Sequence, residues 1–173
     1  MMVIGKWLLP LVLLSGLAAF AQAPVAAGAP SLPAGCAKPE VFPVVPGYVP
    51  IYADRDRGGA YSVVDPAAVA AMNRIMAGFN KGQRDWLRMT NRVAGEGDAA
   101  AARCAFAWLQ VWAQGRHMLG APVGTQPEQY QSRYEMKWVL QGLATAYALV
   151  LRPRFDAASR APVEAWLREA GRQ

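Results

Sequence analysis

The chain has 173 residues with a formal net charge of +6, 54% of them hydrophobic and 17% charged. That balance excludes a disordered, solvating polypeptide and suits one ordinary domain. Two cysteines and one histidine are too few for a self-contained zinc site of the usual Cys/His kinds, which needs three or four protein ligands. Nothing in the composition calls for a cofactor, and a Ser-His-Asp or Cys-His catalyst would have to rest on His117.

The first segment has the pattern of a secretion signal: Lys6 is the basic start, Trp7 to Leu17 the apolar run, and Ala19-Phe20-Ala21 the small-residue cleavage site. Residues 1–21 are therefore expected to be a signal peptide cut after Ala21. The apolar run falls short of the ~20 residues of a spanning helix, so no stable membrane anchor is expected after cleavage. A periplasmic or secreted location follows. Residues 22–50 are punctuated by prolines from Pro24 to Pro50, which suit neither a helix nor a central strand. They are expected to form an extended arm over a surface. Cys36 lies in this arm and Cys104 far along the chain. In an oxidising compartment the two would pair and pin the arm to a helix. The alternative is two unrelated thiols, with Cys104 a small buried residue.

The remainder, 51–173, reads as helical. Asp65-Pro66 suits a helix opening, with Asp capping free N–H groups and Pro in the first turn. Val69, Met72, Ile75, Met76 and Phe79 recur at helical spacing from Ala67 to Asn80. A second stretch, Arg84 to Ala94, is expected after a break at Lys81-Gly82. Asp98 can cap a helix from Ala99 to Gln114, apolar nearly all round and hence expected to be buried on all sides, ended by Gly115. His117 then reads as a surface residue at a helix end. Gly120 to Pro127 is a loop. The next helix, Glu128 to Leu151, stops at Arg152-Pro153 because the residue before proline avoids helical geometry. A last helix runs from about Ser159 to Ala170, with Pro162 in its first turn. No strand pattern competes, so the fold class is all-α.

The helix from Glu128 to Leu151 has two dressed faces. Met136, Leu140, Leu143, Tyr147 and Val150 form a core stripe. Gln131, Tyr134, Trp138, Gln141 and Thr145 form a second stripe on the opposite side, mixing rings that stack with amides that hydrogen-bond hydroxyls. Such a surface suits a sugar chain; the plainer alternative is a partly exposed helix carrying a few surface aromatics.

Two runs, Cys104-Ala105-Phe106-Ala107-Trp108-Leu109-Gln110-Val111-Trp112-Ala113-Gln114 and Gln131-Ser132-Arg133-Tyr134-Glu135-Met136-Lys137-Trp138, resemble segments of the alginate lyases of the poly(β-D-mannuronate) lyase type. The resemblance extends from about Cys36 to Gln173. It implies an α/α barrel, an incomplete toroid of helical hairpins, of which 51–173 would be the N-terminal half. It implies that Gln131, Tyr134 and Trp138 contact the sugar chain, that Tyr52 belongs to a lid at Ala53 to Ser62, and that Arg74 binds the anionic substrate. It also implies a disulfide between Cys36 and Cys104.

Two departures stand out. Ile51 replaces the Lys or Arg that precedes the lid tyrosine in relatives; Arg55 or Arg57 is a candidate replacement, a solvated Asp54–Arg57 run the alternative. The family's catalytic Asn-His pair, Arg and Tyr match no residue here, and His117 stands where relatives carry a small residue. The expectation is a truncated chain with part of the substrate cleft and no catalytic residue. Its partner would be an anionic polysaccharide, alginate or a related polyuronate. Fourteen arginines among eighteen basic residues fit such a partner, because guanidinium pairs bidentately with carboxylate. No basic-aromatic RNA motif points to nucleic acid. The alternative function is a non-catalytic periplasmic protein that binds an anionic glycan.

Overall fold

The computed structural model describes residues 31–40, 51–52, 63–122 and 124–173. The signal peptide, most of the expected lid and the remaining parts of the proline-rich arm lie outside the described residues. Within them the all-α expectation holds: helices take up 74% and no strand is present. Four α-helices follow in order, α1 (Pro66–Glu96), α2 (Ala99–Gln114), α3 (Gln126–Ala146) and α4 (Ala157–Ala170). No helix among the described residues is long and apolar enough to cross a membrane.

Helix α1 opens as its sequence requires: the Asp65 carboxylate accepts from the N–H groups of Ala67 at 2.8 Å and Ala68 at 3.3 Å. It then runs unbroken through Lys81-Gly82, so the expected break is absent. A glycine inside a helix costs about 1 kcal/mol. That is small beside the burial of Met76, Phe79 and Trp86, which fall on one face on both sides of Gly82. The helix ends at Gly97, whose φ of 68° places it in the left-handed region that caps helices, its N–H donating to Val93. Asp98 then caps α2 through Ala101 N–H at 2.9 Å and also pairs with Arg92. The Ala101 hydrogen bond is the first reason its carboxyl is held below the usual carboxylate range.

Helix α2 is the centre of the core, with Ala105, Leu109 and Trp112 fully buried. Its burial is not complete on all sides, however: Ala99, Ala100, Arg103 and Gln114 are exposed. Helices α1 and α4 cover two flanks and segment 31–40 covers another. That segment is non-helical and is held three ways. Cys36 is joined to Cys104, the indole N–H groups of Trp108 and Trp112 donate to the carbonyls of Ala37 at 2.7 Å and Glu40 at 3.0 Å, and Lys81 pairs with Glu40 at 2.8 Å.

After α2 the chain turns sharply through Gly115 to Met118, with Arg116 and Met118 at φ 50° and 60°. His117 is buried at 6% exposure, not a surface residue. Its carbonyl accepts from Trp166 Nε1 at 2.7 Å, which ties the turn to α4. A Cβ placed on Gly115 would come within 2.6 Å of the His117 ring, so glycine is needed here for close approach.

Helix α3 starts two residues earlier than expected because Thr125 and Glu128 form a capping box. The regular α-helix also ends earlier, at Ala146, and continues as a π-helical turn, Tyr147–Leu151, and a short 3-10 turn, Arg152–Arg154. The wider turn keeps Tyr147 and Leu151 buried together. Helix α4 begins at Ala157 because Asp156 accepts from Ser159 N–H at 2.9 Å. Pro162 therefore lies inside the helix instead of in its first turn.

Candidate functional site

Helix α3 separates its residues as the two stripes require. Met136, Val139, Leu143 and Tyr147 are buried in the core, with Leu140 and Val150 packed against it. On the other side Tyr134 and Trp138 stand 45% and 52% exposed. One helical turn apart, they meet edge to face with ring centroids 6.1 Å apart. Gln141 and Thr145 are exposed farther along, and Gln131 is half-buried, its amide donating to Glu135 at 2.7 Å.

Trp138 differs from the other tryptophans described. Trp86, Trp108, Trp112 and Trp166 each donate their indole N–H to a backbone carbonyl, at 2.7 to 3.0 Å. Among the described residues Trp138 donates to no carbonyl; it meets the Tyr134 ring and the Lys137 ammonium, 5.9 Å from its centroid. A half-exposed aromatic whose indole N–H donates to no carbonyl among the described residues has chemistry suited to stacking on a sugar.

Beside this pair lies a cavity of about 810 Å³ between α3, the end of α4 and the Gly120–Pro122 loop. Its floor is apolar, from Met136, Leu140, Ala144, Leu167 and Ala170, and Arg133, Lys137 and Gln141 line its α3 side. Arg133 and Lys137 have no acidic partner among the described residues, and the Lys137 ammonium lies over the Trp138 ring. Other cations, such as Arg116 with Glu169 at 2.6 Å and Arg152 with Glu164 at 3.1 Å, are paired. Lys137 is exposed where it lines the cavity, as is Arg133 beside it. Their four-residue spacing parallel to Tyr134 and Trp138 is the signal that reveals them.

The other expected site residues fall elsewhere. Gly142 faces Gln83 of α1, and Arg154 donates to Val93 at 3.3 Å, so α3 and its π turn run alongside α1 in the same direction. Arg74 lies about two and a half turns before Gln83, on the opposite face of α1, and is exposed. No hydrogen bond or ion pair connects it to the α3 stripe. Tyr52 is half-buried and forms an isolated antiparallel bridge with Val64, while Ile51 accepts from Asp65 N–H at 2.8 Å. This bridge brings together the two ends of the expected lid; Arg55 and Arg57 lie outside the described residues.

A separate polar cluster joins the π turn to α4. The Tyr147 phenol donates to Glu164 at 3.1 Å, and Arg152 and Arg160 lie beside the same carboxylate. Burial first, and the Glu164 hydrogen bond second, push the phenol up to about 12, so it stays protonated at neutral pH and is no general base. Among the described residues no group of three or more His, Cys, Asp or Glu could hold a metal ion.

No family model matches the chain. It is similar to a polysaccharide lyase of Stenotrophomonas maltophilia (strain K279a), 34% identical over 152 residues. The alignment covers 88% of this chain and 42% of that protein, so the chain spans less than half the length of its relative.

Proposed function

We propose that the chain is part of a polysaccharide lyase acting on a uronate polymer of the alginate type, and that it contributes one wall of the substrate cleft. The observation that carries this reading is the 152-residue similarity to a polysaccharide lyase. The exposed Tyr134–Trp138 pair and the cations beside it supply a surface of fitting chemistry. In the same reading the helices are the first part of an α/α barrel, Gln131 and Tyr52 assist substrate binding, and Arg74 attracts the polyanion from outside the cleft. The Cys36–Cys104 bridge is compatible with a periplasmic or secreted location.

Lyase chemistry on a uronate is β-elimination. The C6 carboxylate must be neutralised so that the C5 proton becomes acidic, a base then removes that proton, and an acid protonates the departing C4 oxygen. The residues on the α3 surface can bind and orient sugar units for these steps. His117, buried in the turn after α2, and Tyr147, held protonated, are placed for structure and not for proton transfer at this surface.

In this reading the proton-transfer steps fall to an Asn-His element, an Arg and a Tyr from another part of such a lyase. Polymannuronate treated with a protein containing both parts should gain the ultraviolet absorbance of a C4=C5 double bond. No absorbance with polymannuronate, polyglucuronate or any other polyuronate would remove lyase activity from the account. A second reading, a non-catalytic binder of anionic glycan, is favoured by the placement of the open aromatic face away from both His117 and Tyr147. It predicts salt-sensitive binding by the 173-residue chain without cleavage.

A further inference from the structure

We propose that Arg133 and Lys137 form a carboxylate-reading row that makes this surface select glycans charged on every sugar. The inference rests on the glycan reading above and adds a specificity element to it. Arg133 and Lys137 are one turn apart on α3, about 6 Å along the axis, immediately beside Tyr134 and Trp138. Both line the cavity between α3 and α4, and neither has an acidic partner among the described residues. The row of rings and the row of cations therefore run side by side along one helix. A sugar chain lying along α3 would stack its rings on the first row and offer its carboxylates to the second.

The two cations differ in what they can do. Arg133 presents a planar fork that takes a carboxylate bidentately. Lys137 is a point charge steadied over the Trp138 ring at 5.9 Å, so it reaches toward a sugar stacked beside that ring. A polymer with a carboxylate on every unit satisfies both groups together. A chain in which charged and neutral sugars alternate satisfies one, and a neutral chain neither. Gln141, on the same side of the cavity, offers an amide for hydroxyls in all three cases.

The test uses the full chain with polymannuronate and with its methyl ester, which has the same backbone without the charge. Binding is measured by calorimetry for the wild type, for Arg133→Gln/Lys137→Gln and for Tyr134→Ala/Trp138→Ala. The cation variant is expected to bind polymannuronate roughly five- to tenfold more weakly and the ester as the wild type does. Arg133→Lys/Lys137→Arg should recover most of the lost affinity. The aromatic variant should lose affinity for both polymers. If the cation variant binds polymannuronate unchanged while the aromatic variant loses it, the row is refuted and the glycan reading survives. Equal weakening toward both polymers would also refute the row, because the residues would then be packing groups. A wild-type chain that binds neither polymer refutes the glycan reading itself.

Discussion

The two helices at the ends of the α2–α3 connection treat the same residue types in opposite ways. On α2, Trp108 and Trp112 are buried, their N–H groups satisfied by the carbonyls of Ala37 and Glu40, and a disulfide closes the arm over them. On α3, Tyr134 and Trp138 are half exposed, with no backbone segment across them among the described residues. Lys81 beside the arm is paired with Glu40, whereas Arg133 and Lys137 have no acidic partner among the described residues. Buried indoles need partners because an unsatisfied donor costs about 1–3 kcal/mol. An indole left open avoids that cost through water, and its exposed ring stays available to a ligand. The α2 side is therefore a structural surface, and the α3 side is the one proposed to bind glycan.

Mutations should separate the two sides. The largest expected effect is on the α2 side: Cys36→Ser/Cys104→Ser opens a closure between residues 68 apart, and the chain-entropy model gives a loss of about 4 kcal/mol, read as the urea midpoint. Trp112→Ala removes a fully buried ring and exposes the Glu40 carbonyl; about 3 kcal/mol or more should be lost. A destabilisation under about 1 kcal/mol would mean that the arm is not a structural cover. Gly115→Ala forces its Cβ against the His117 ring and should cost about 2 kcal/mol, visible as a lower melting temperature.

Tyr147→Phe is a smaller change at neutral pH, about 1 kcal/mol for one hydrogen bond, and its distinctive effect lies in alkali. The folded phenol ionises near pH 12, whereas the unfolded one ionises near its ordinary value of 10. Between these values the unfolded chain has released a proton that the folded chain still holds, so stability should fall as pH rises. Below pH 10 this contribution is fully present. The Phe variant should lose that part of the alkaline slope; an unchanged slope would contradict the burial and bonding of this phenol. The smallest effect on stability belongs to Trp138→Ala, within about 0.5 kcal/mol, combined with a clear loss of polyuronate binding. A large loss of stability there would merge the two regions and break the comparison.

The helices were legible where side chains act locally. Asp65 and Asp98 announced their caps, and the 3.6-residue period announced the core stripe of α3. Features that depend on neighbours were not. Gly82 looked like a break because its local cost is visible in sequence and the tertiary burial of Phe79 and Trp86 is not. His117 looked like a surface residue because only the folded turn shows Trp166 donating to its carbonyl. Pro162 lies inside α4 because capping by Asp156 places the helix start upstream of Ser159. In the site, the aromatic pair was visible as a stripe. The cavity beside it was not, because it is formed by α3 together with the end of α4 and the Gly120–Pro122 loop, distant in sequence. Arg74, matched by resemblance, is exposed on α1, with no hydrogen bond or ion pair to the α3 stripe among the described residues.

The most direct measurement of the central claim is a titration of the chain with polymannuronate, followed through its assigned indole N–H resonances. The Trp138 signal should shift on saturation, while those of Trp86, Trp108, Trp112 and Trp166, each bonded to a backbone carbonyl, stay in place. A Trp138 signal that does not move while the polymer binds, or movement of the buried four instead, would contradict the assignment of the α3 face as the glycan-binding surface.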